Sequence, residues 1–154
     1  MSVILPGSYD PITLGHLDIV KRALERYKEV FVVAFINPDK KYTFTEEERV
    51  KMLALATEGL EGVTVDFSCG RVVDYMKEHG ISAIVKGYRN ESDLEYEKKM
   101  AEYNFEHGGF ETVLVKSSDS LSGISSTLAR TRLAEGGSLD GILPMSVIDF
   151  INNR

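Results

Sequence analysis

The segment Pro6–His16 (PGSYDPITLGH) brings together, just after a predicted strand, the residue types that bind phosphate. Gly7 is expected to let the chain turn sharply, and Gly15 to let a ligand approach the backbone closely. Ser8 offers a hydroxyl and an amide at the strand end. His16 falls in the first turn of the predicted helix, where free N–H groups and the helix dipole attract phosphate. The alternative is a capping loop with a packing histidine, but the combination favours a phosphate site.

Three later loops carry groups of the same chemistry. Lys40 follows the second predicted strand and can bind a phosphate as a point charge. Arg89 presents a planar fork suited to phosphate oxygens, beside Gly87. The hydroxyls and free amides of Ser125–Thr127 stand at a predicted helix start, which is a phosphate cradle. Each feature alone also fits a solvated loop or an ordinary N-cap, so the prediction depends on their coming together.

The elements that must position these loops follow from the alternation of short apolar runs with amphipathic segments. Strands are predicted at Ser2–Leu5, Glu29–Ile36, Gly62–Phe67, Ser82–Lys86 and Glu111–Lys116. Helices are predicted at about Leu14–Tyr27, Thr45–Thr57, Arg71–His79, Ser92–His107, Ser125–Glu135 and Pro144–Asn152. Two helix starts carry capping boxes, Thr45 with Glu48 and Ser92 with Glu95.

Strands separated by helices predict an α/β fold with a parallel sheet flanked by helices, in a single domain spanning residues 1–154. Such sheets bind ligands beyond the carboxyl ends of their strands, where the strand order switches. The loops expected to form the site are Pro6–Leu14, Asn37–Phe44, Gly87–Glu91 and Ser117–Gly123. The chain contains neither G-x-x-x-x-G-K-S/T nor G-x-G-x-x-G, so neither a P-loop nor a dinucleotide fingerprint is predicted.

Composition narrows the classes of function. The 154 residues include 43% hydrophobic and 27% charged residues, which is an ordinary globular balance and argues against disorder. The formal net charge of −6 disfavours nucleic-acid binding. The single cysteine, Cys69, excludes an intrachain disulfide and favours a cytoplasmic protein. No apolar run approaches a membrane span of ~20 residues, and the start lacks signal-peptide features.

Two motifs resemble those of a known family. Thr13–His16 (TLGH) resembles the T/H-x-G-H signature of the nucleotidylyltransferase superfamily, and the whole of Pro6–His16 is similar to the P-G-S/T-F/Y-D-P-x-T-x-G-H of phosphopantetheine adenylyltransferases. Lys86–Arg89 (KGYR) with Asp93–Glu97 (DLEYE) resembles that family's R-G-L-R and D-F-E-Y-E. Lys86 stands where the family has arginine, and Tyr88 where it has leucine. A third stretch, Leu121–Thr127 (LSGISST), is similar to x-S-F-I-S-S-S, with Gly123 in place of an aromatic residue.

The resemblance implies a Rossmann-like fold and a set of site residues. The implied catalytic residues are His16, Lys40 and Arg89. The implied acceptor-binding residues are Ser8, Lys40, Val72 and Lys86. The implied ATP-binding residues are Ser8, Tyr9, His16, Gly87, Tyr88, Arg89, Glu97, Leu121, Ser122, Gly123, Ile124, Ser125, Ser126 and Thr127. For Asp93 and Glu95, a solvated helix face and a functional role both remain open. The spacing of His and Cys predicts no dedicated metal site.

The resemblance further implies transfer of the adenylyl group of ATP to 4′-phosphopantetheine, with dephospho-coenzyme A and pyrophosphate as products. Mg²⁺ is expected to arrive on the triphosphate, coenzyme A to act as a feedback ligand, and the chain to form a homohexamer. Two alternatives remain. One is an adenylyl- or cytidylyltransferase with another acceptor, such as nicotinamide mononucleotide or glycerol phosphate. The other is a nucleotide-binding module that senses ATP without turning it over.

Overall fold

Five parallel strands form the centre of the computed structural model, which describes every residue from Met1 to Arg154. The strands are β1 (Ser2–Gly7), β2 (Glu29–Phe35), β3 (Val63–Ser68), β4 (Ala83–Tyr88) and β5 (Glu111–Lys116). Their order across the sheet is β3-β2-β1-β4-β5. The order reverses between β1 and β4, and this is the switch point at which a doubly wound sheet opens a ligand crevice. The predicted α/β, Rossmann-like fold is confirmed.

Six helices flank the sheet. They are α1 (Leu14–Leu24), α2 (Glu46–Ala56), α3 (Val72–His79), α4 (Glu91–Gly108), α5 (Ser126–Ala134) and α6 (Met145–Asn153). A short 3₁₀ turn covers Asp119–Leu121. None of the helices combines the length and the hydrophobicity needed to cross a bilayer.

The sheet buries a different set of side chains on each face, because successive strand residues point to opposite sides. Val3 and Leu5 belong to the larger core cluster, which includes residues of α1, α2 and α6. Ile4 belongs to the smaller cluster, which includes Tyr75 and Met76 of α3. The strands are therefore apolar on both faces, as expected for a parallel sheet covered by helices on both sides.

Helix starts agree with the sequence at Thr45 and differ at Ser92. The capping box of Thr45 with Glu48 is present at α2. At α4 the cap is Asn90, whose side-chain oxygen accepts a hydrogen bond from the amide of Asp93 at 2.9 Å, and Ser92 lies inside the helix. The predicted Ser92–Glu95 capping box was wrong, because asparagine two residues earlier already supplies the acceptor that this terminus needs.

Two strands extend further than predicted, and this matters for the site. β1 reaches Gly7 and β4 reaches Tyr88, so Gly87 and Tyr88 are strand residues and not loop residues. The ladder continues because Pro6 and Gly7 pair with Val33 and Ala34 of β2. The groups at these strand ends are therefore held by the sheet.

Candidate active site

Two cavities open at the carboxyl end of the sheet, on either side of the switch point. The larger cavity has a volume of about 660 Å³ and runs from the ends of β1 and β2 to α4. The smaller cavity has a volume of about 440 Å³ and lies between the β1–α1 loop, β4 and the start of α5. Both are within the size range of small-molecule sites.

The cavities meet along a shared wall. The residues that line both are Pro6, Gly7, Ser8, Lys40, Lys86, Tyr96 and Glu97. Lys40 and Lys86 place two cations at this boundary, and the Lys40 ammonium donates a hydrogen bond to Ser8 Oγ at 3.3 Å. Anionic groups of two ligands, one in each cavity, would therefore face each other across the same lysines.

His16 lies in the smaller cavity with one ring nitrogen already engaged. The backbone N–H of Thr13 donates to His16 Nδ1 at 3.0 Å, and His16 N donates to Thr13 Oγ1 at 3.3 Å, which closes a capping box. Burial, together with the positive charges of Lys86 and Arg89, lowers the pKa of His16 to about 4. A backbone N–H can only donate, so Nδ1 is unprotonated and the ring is neutral at pH 7 with its proton on Nε2. The imidazole is therefore a neutral hydrogen-bond donor.

The β1–α1 loop turns at Tyr9, and the expectation that Gly7 makes this turn is wrong. Tyr9 has a φ of 49°, whereas Gly7 is not among the residues with positive φ. A Cβ on Gly7 would lie 3.2 Å from the Tyr9 ring, so the absence of a side chain makes room for that ring. The Tyr9 hydroxyl donates to the carbonyl of Leu5 at 2.8 Å, and its ring packs edge-on against His16 at 5.0 Å between centroids. Tyr9 thus fixes both the loop and the imidazole.

Arg49 supports the same loop from behind, and sequence reasoning missed it. Its side chain is 1% exposed, its Nη1 donates to the carbonyl of Ser8 at 3.0 Å, and its guanidinium lies 3.8 Å from the centroid of the Tyr42 ring. Arg49 stands three and four residues before the buried Met52 and Leu53 of α2. That helical spacing places it on the inward face and was the signal that could have found it.

Arg89 enters the smaller cavity with its orientation set by Asp93. The backbone N–H and Nε of Arg89 both donate to Asp93 Oδ2, at 3.1 and 3.0 Å, and Nη1 reaches the carbonyl of Ile124 at 3.5 Å. Glu95, two residues along α4, is exposed. Of the two acidic residues whose role was open, Asp93 orients the Arg89 guanidinium and Glu95 lies on the solvated face of α4.

Lys86 and Glu97 form an ion pair at the boundary between the cavities. Lys86 Nζ lies 3.6 Å from Glu97 Oε1 and donates to the carbonyl of Pro6 at 3.3 Å. Glu97 is 9% exposed. Burial raises the pKa of Glu97, and Asp93 adds to this rise, while Lys86 offsets part of it. These two contacts therefore restrict the position of the Lys86 ammonium at the boundary between the cavities.

The start of α5 offers backbone amides, because its hydroxyls are engaged within the protein. Ser125 caps Leu128 N at 3.0 Å, Ser126 Oγ donates to the carbonyl of Pro11 at 2.8 Å, and Thr127 Oγ1 accepts from Arg130 at 3.1 Å. The backbone N–H groups of Ser126 and Thr127, in the first turn, have no intrahelical acceptor and remain available. The arrangement can bind an anion through the helix terminus.

Gly87 allows α1 to pack closely against β4. A Cβ at this position would come within 2.6 Å of Ile19 Cγ1, so even alanine would push α1 away from β4. Gly87 also lines the smaller cavity.

Most of the site residues expected from the sequence lie together. The smaller cavity is lined by Ser8, Tyr9, His16, Lys40, Lys86, Gly87, Tyr88, Arg89, Glu97, Ile124, Ser125, Ser126 and Thr127. Val72 lines the larger cavity, together with Lys40 and Lys86. Leu121, Ser122 and Gly123, which end and follow the 3₁₀ turn, line neither cavity. Arg130 lines the smaller cavity without having been predicted as a site residue.

Comparisons with known proteins agree with this architecture. Residues 4–132 match the model of a family described as cytidylyltransferase-like. The phosphopantetheine adenylyltransferase of Corynebacterium efficiens is 41% identical over 155 aligned positions, covering 100% of this chain and 98% of the relative. That of Clostridium novyi is 43% identical over 152 positions, covering 98% of this chain and 94% of the relative. The two cavities meet at Lys40 and Lys86, and His16 lies in the smaller one. Together with 41–43% identity over nearly the full length, this leads to one conclusion: the chain belongs to the phosphopantetheine adenylyltransferase family.

Proposed function

We propose that this protein transfers the adenylyl group of ATP to 4′-phosphopantetheine, releasing pyrophosphate and forming dephospho-coenzyme A. ATP occupies the smaller cavity and 4′-phosphopantetheine the larger one. The observation that carries the proposal is the shared wall, where Ser8, Lys40 and Lys86 face both cavities. The names of the two relatives supply the identity of the substrates.

The reaction needs no general base, since the acceptor phosphate is already anionic at neutral pH. One of its oxygens attacks the α-phosphorus of ATP in line, a new P–O bond forms, and the bond from that phosphorus to the pyrophosphate oxygen breaks. The leaving group carries away the electron pair. Catalysis is then a matter of positioning the two phosphates and stabilising the charge that develops between them.

The residues divide this work by location. Lys40 and Lys86 hold the acceptor phosphate at the shared wall. The Nε2–H of His16 donates to an α-phosphate oxygen, a role for which a neutral ring is suited. Arg89 and the amides of Ser126 and Thr127 bind the β- and γ-phosphates. The low pKa of His16 and its bond from Thr13 support a donor role over a base role.

Mg²⁺ is proposed as the cation that accompanies the triphosphate. The chain holds no group of three His, Cys, Asp or Glu side chains that could form a metal cage. The buried carboxylate of Asp10 already accepts hydrogen bonds from the amides of Thr43 and Phe44, both at 2.9 Å. The cations and backbone amides that line the smaller cavity suit phosphate oxygens and not a metal ion. A metal would therefore be held mainly through phosphate oxygens, where it would neutralise charge on the leaving group.

The test is acceptor-dependent release of pyrophosphate from ATP. We expect turnover with 4′-phosphopantetheine and only background rates with nicotinamide mononucleotide and glycerol phosphate. Turnover with one of the other acceptors instead would show that the protein uses a different class of acceptor. ATP binding without pyrophosphate release for any acceptor would favour a sensing module.

We further propose a homohexamer, feedback by coenzyme A and residence in the cytoplasm. Apolar side chains exposed on α4 support an assembly, with Tyr103 exposed by 50% and Phe105 by 56%. Coenzyme A contains the whole acceptor, which supports its binding in the larger cavity. Sedimentation analysis tests the hexamer, and competition of coenzyme A against 4′-phosphopantetheine tests the feedback.

A further inference from the structure

Three buried polar side-chain atoms in the protein have no hydrogen-bond partner, and one of them belongs to a wall of the smaller cavity. They are Arg49 Nε, Thr112 Oγ1 and Ser117 Oγ. Ser117 is 6% exposed and lines the smaller cavity. Buried hydroxyls are nearly always paired, because leaving one unpaired is costly. Ser117 therefore needs a partner that the protein itself does not supply.

Ser117 is held firmly at the end of β5. Its backbone N–H donates to the carbonyl of Tyr88 at 3.0 Å, which continues the β4–β5 ladder by one residue. The next residue, Ser118, donates to Asp18 Oδ2 through both its amide and its hydroxyl, each at 3.1 Å. The backbone is therefore fixed, and rotation about the Cα–Cβ and Cβ–Oγ bonds of Ser117 can direct the hydroxyl toward the cavity.

The position of Ser117 in the cavity differs from that of the phosphate-binding groups. Ser117 is two residues beyond Val115, so it points to the same face of the sheet, and Val115 pairs in register with Gly87. Gly87 packs against Ile19 of α1. On this face of the sheet Gly87 and Ile19 line the cavity with Ser117, and a flat apolar ring with a polar edge fits these small and apolar residues better than a phosphate does.

Resting on the proposed binding of ATP in this cavity, we propose that the Ser117 hydroxyl hydrogen-bonds the base of the nucleotide and contributes to its selection. When ATP enters with its phosphates at Arg89 and the α5 start, the adenine lies on the Ile19 side, and its nitrogen-bearing edge meets Ser117. A serine hydroxyl can donate or accept, so its selectivity arises from position: the strand end fixes where Ser117 lies, and a base whose polar atoms lie elsewhere leaves the hydroxyl unpaired.

The experiment measures nucleotide binding by calorimetry without any acceptor, in the wild type and in Ser117→Ala. The Kd of ATP is expected to rise about three- to tenfold, the scale of one net hydrogen bond. ATP and GTP share ribose and triphosphate and differ only in the base, so the ratio of their Kd values is expected to move toward one in the variant. The thermal midpoint of the ligand-free variant is expected to stay level or rise, because an unpaired buried hydroxyl is removed.

Thr112→Val is the matched control. It also removes an unpartnered buried hydroxyl from β5, but Thr112 pairs in register with Ile84 and lines only the larger cavity, on the opposite face of the sheet. Its Kd for ATP is expected to stay within about twofold of the wild type.

Three results would overturn the proposal. They are an unchanged Kd for ATP in Ser117→Ala, an equal weakening of ATP and GTP, and a lowered midpoint of the ligand-free variant. The last would mean that the hydroxyl is already bonded within the protein. Because the acceptor is absent, a protein that binds ATP but fails to adenylylate 4′-phosphopantetheine would disprove the proposed function while leaving Ser117 fully tested.

Discussion

Thr13 and His16 are joined at 3.0 Å by a hydrogen bond from the Thr13 backbone N–H to Nδ1 of the imidazole. This contact does two things at once. It completes the capping box at the start of α1, and it leaves Nε2 as the ring nitrogen that carries the proton. The same bond that begins the helix therefore decides which ring nitrogen can donate to a ligand.

Replacing His16 by alanine should lower kcat by about 10²–10⁴, the scale for losing one preorganised donor. KM for each substrate should change much less, since the contact with the α-phosphate strengthens as the transition state forms. Steady-state kinetics with both substrates varied would measure this. Turnover within a few-fold of the wild type would remove His16 from the mechanism.

The pH dependence of stability offers an independent check on the same ring. The pKa of His16 falls from 6.5 to about 4 on folding, so the unfolded chain binds a proton more readily within that window. The contribution of His16 to the free energy of unfolding should therefore be intact above pH 6.5 and should be lost progressively as the pH falls toward 4. In His16→Gln this slope should be reduced, as measured by denaturant titrations at several pH values. An identical slope in both proteins would contradict the buried, neutral ring.

Lys40→Ala should raise KM for 4′-phosphopantetheine more than KM for ATP, because its ammonium lies at the shared wall beside Ser8. An effect of about tenfold or more is expected for a lost charge-assisted contact. Lys41→Ala removes the same charge from the next residue, which lines neither cavity, and is the matched control. Equal effects of Lys40→Ala on both substrates would count against the acceptor assignment.

Asp93→Asn should weaken ATP binding, because Arg89 loses the carboxylate that fixes its guanidinium. A rise of about three- to thirtyfold in KM for ATP is expected from the lost preorganisation, with a smaller effect on the acceptor. Glu95→Gln makes the same change of charge on the solvated face of α4 and should be silent. If both variants behave alike, Asp93 contributes only to the net charge of the helix.

Lys86→Met should lower the free energy of unfolding by about 1–3 kcal/mol, because Glu97 is left buried without its partner. Adding Glu97→Leu should recover much of that loss by removing the unpaired carboxylate. Neither protein should recover acceptor affinity, since the cation is gone from both. Chemical denaturation and steady-state kinetics together separate the structural role of the pair from its role in binding.

The candidate site could be predicted in part, and the part that failed has a physical cause. The positions of Ser8, His16, Lys40 and Arg89 relative to strand ends were visible, because parallel strands deliver their following loops to one edge of the sheet. Arg49 and Ser117 were not singled out, although helical spacing places Arg49 on the inward face of α2 and Ser117 begins an expected site loop. The contact of Arg49 with Ser8 and the unpaired hydroxyl of Ser117 depend on the assembled fold, which a linear pattern does not record.

The roles of the glycines divide in the same way. Their positions near strand ends were evident from the sequence. The structure shows that Gly7 makes room for the Tyr9 ring across the turn, and that Gly87 makes room for Ile19, which is remote in sequence. The Asn90 cap, in place of the predicted Ser92, was a choice between two good acceptors two residues apart. Local preference is too small an energy to separate such neighbours.

The order of apolar and polar residues determined, without help from tertiary structure, that this chain alternates strands with helices and carries phosphate-binding groups after particular strands. Periodicity is sufficient for that, because side-chain direction within one element is a local property. Tertiary structure alone decided that Lys40 and Lys86 face both cavities, that Glu97 pairs with Lys86, and that His16 is neutral with its proton on Nε2. These depend on burial and on distances between residues remote in sequence, which arise only when the sheet assembles.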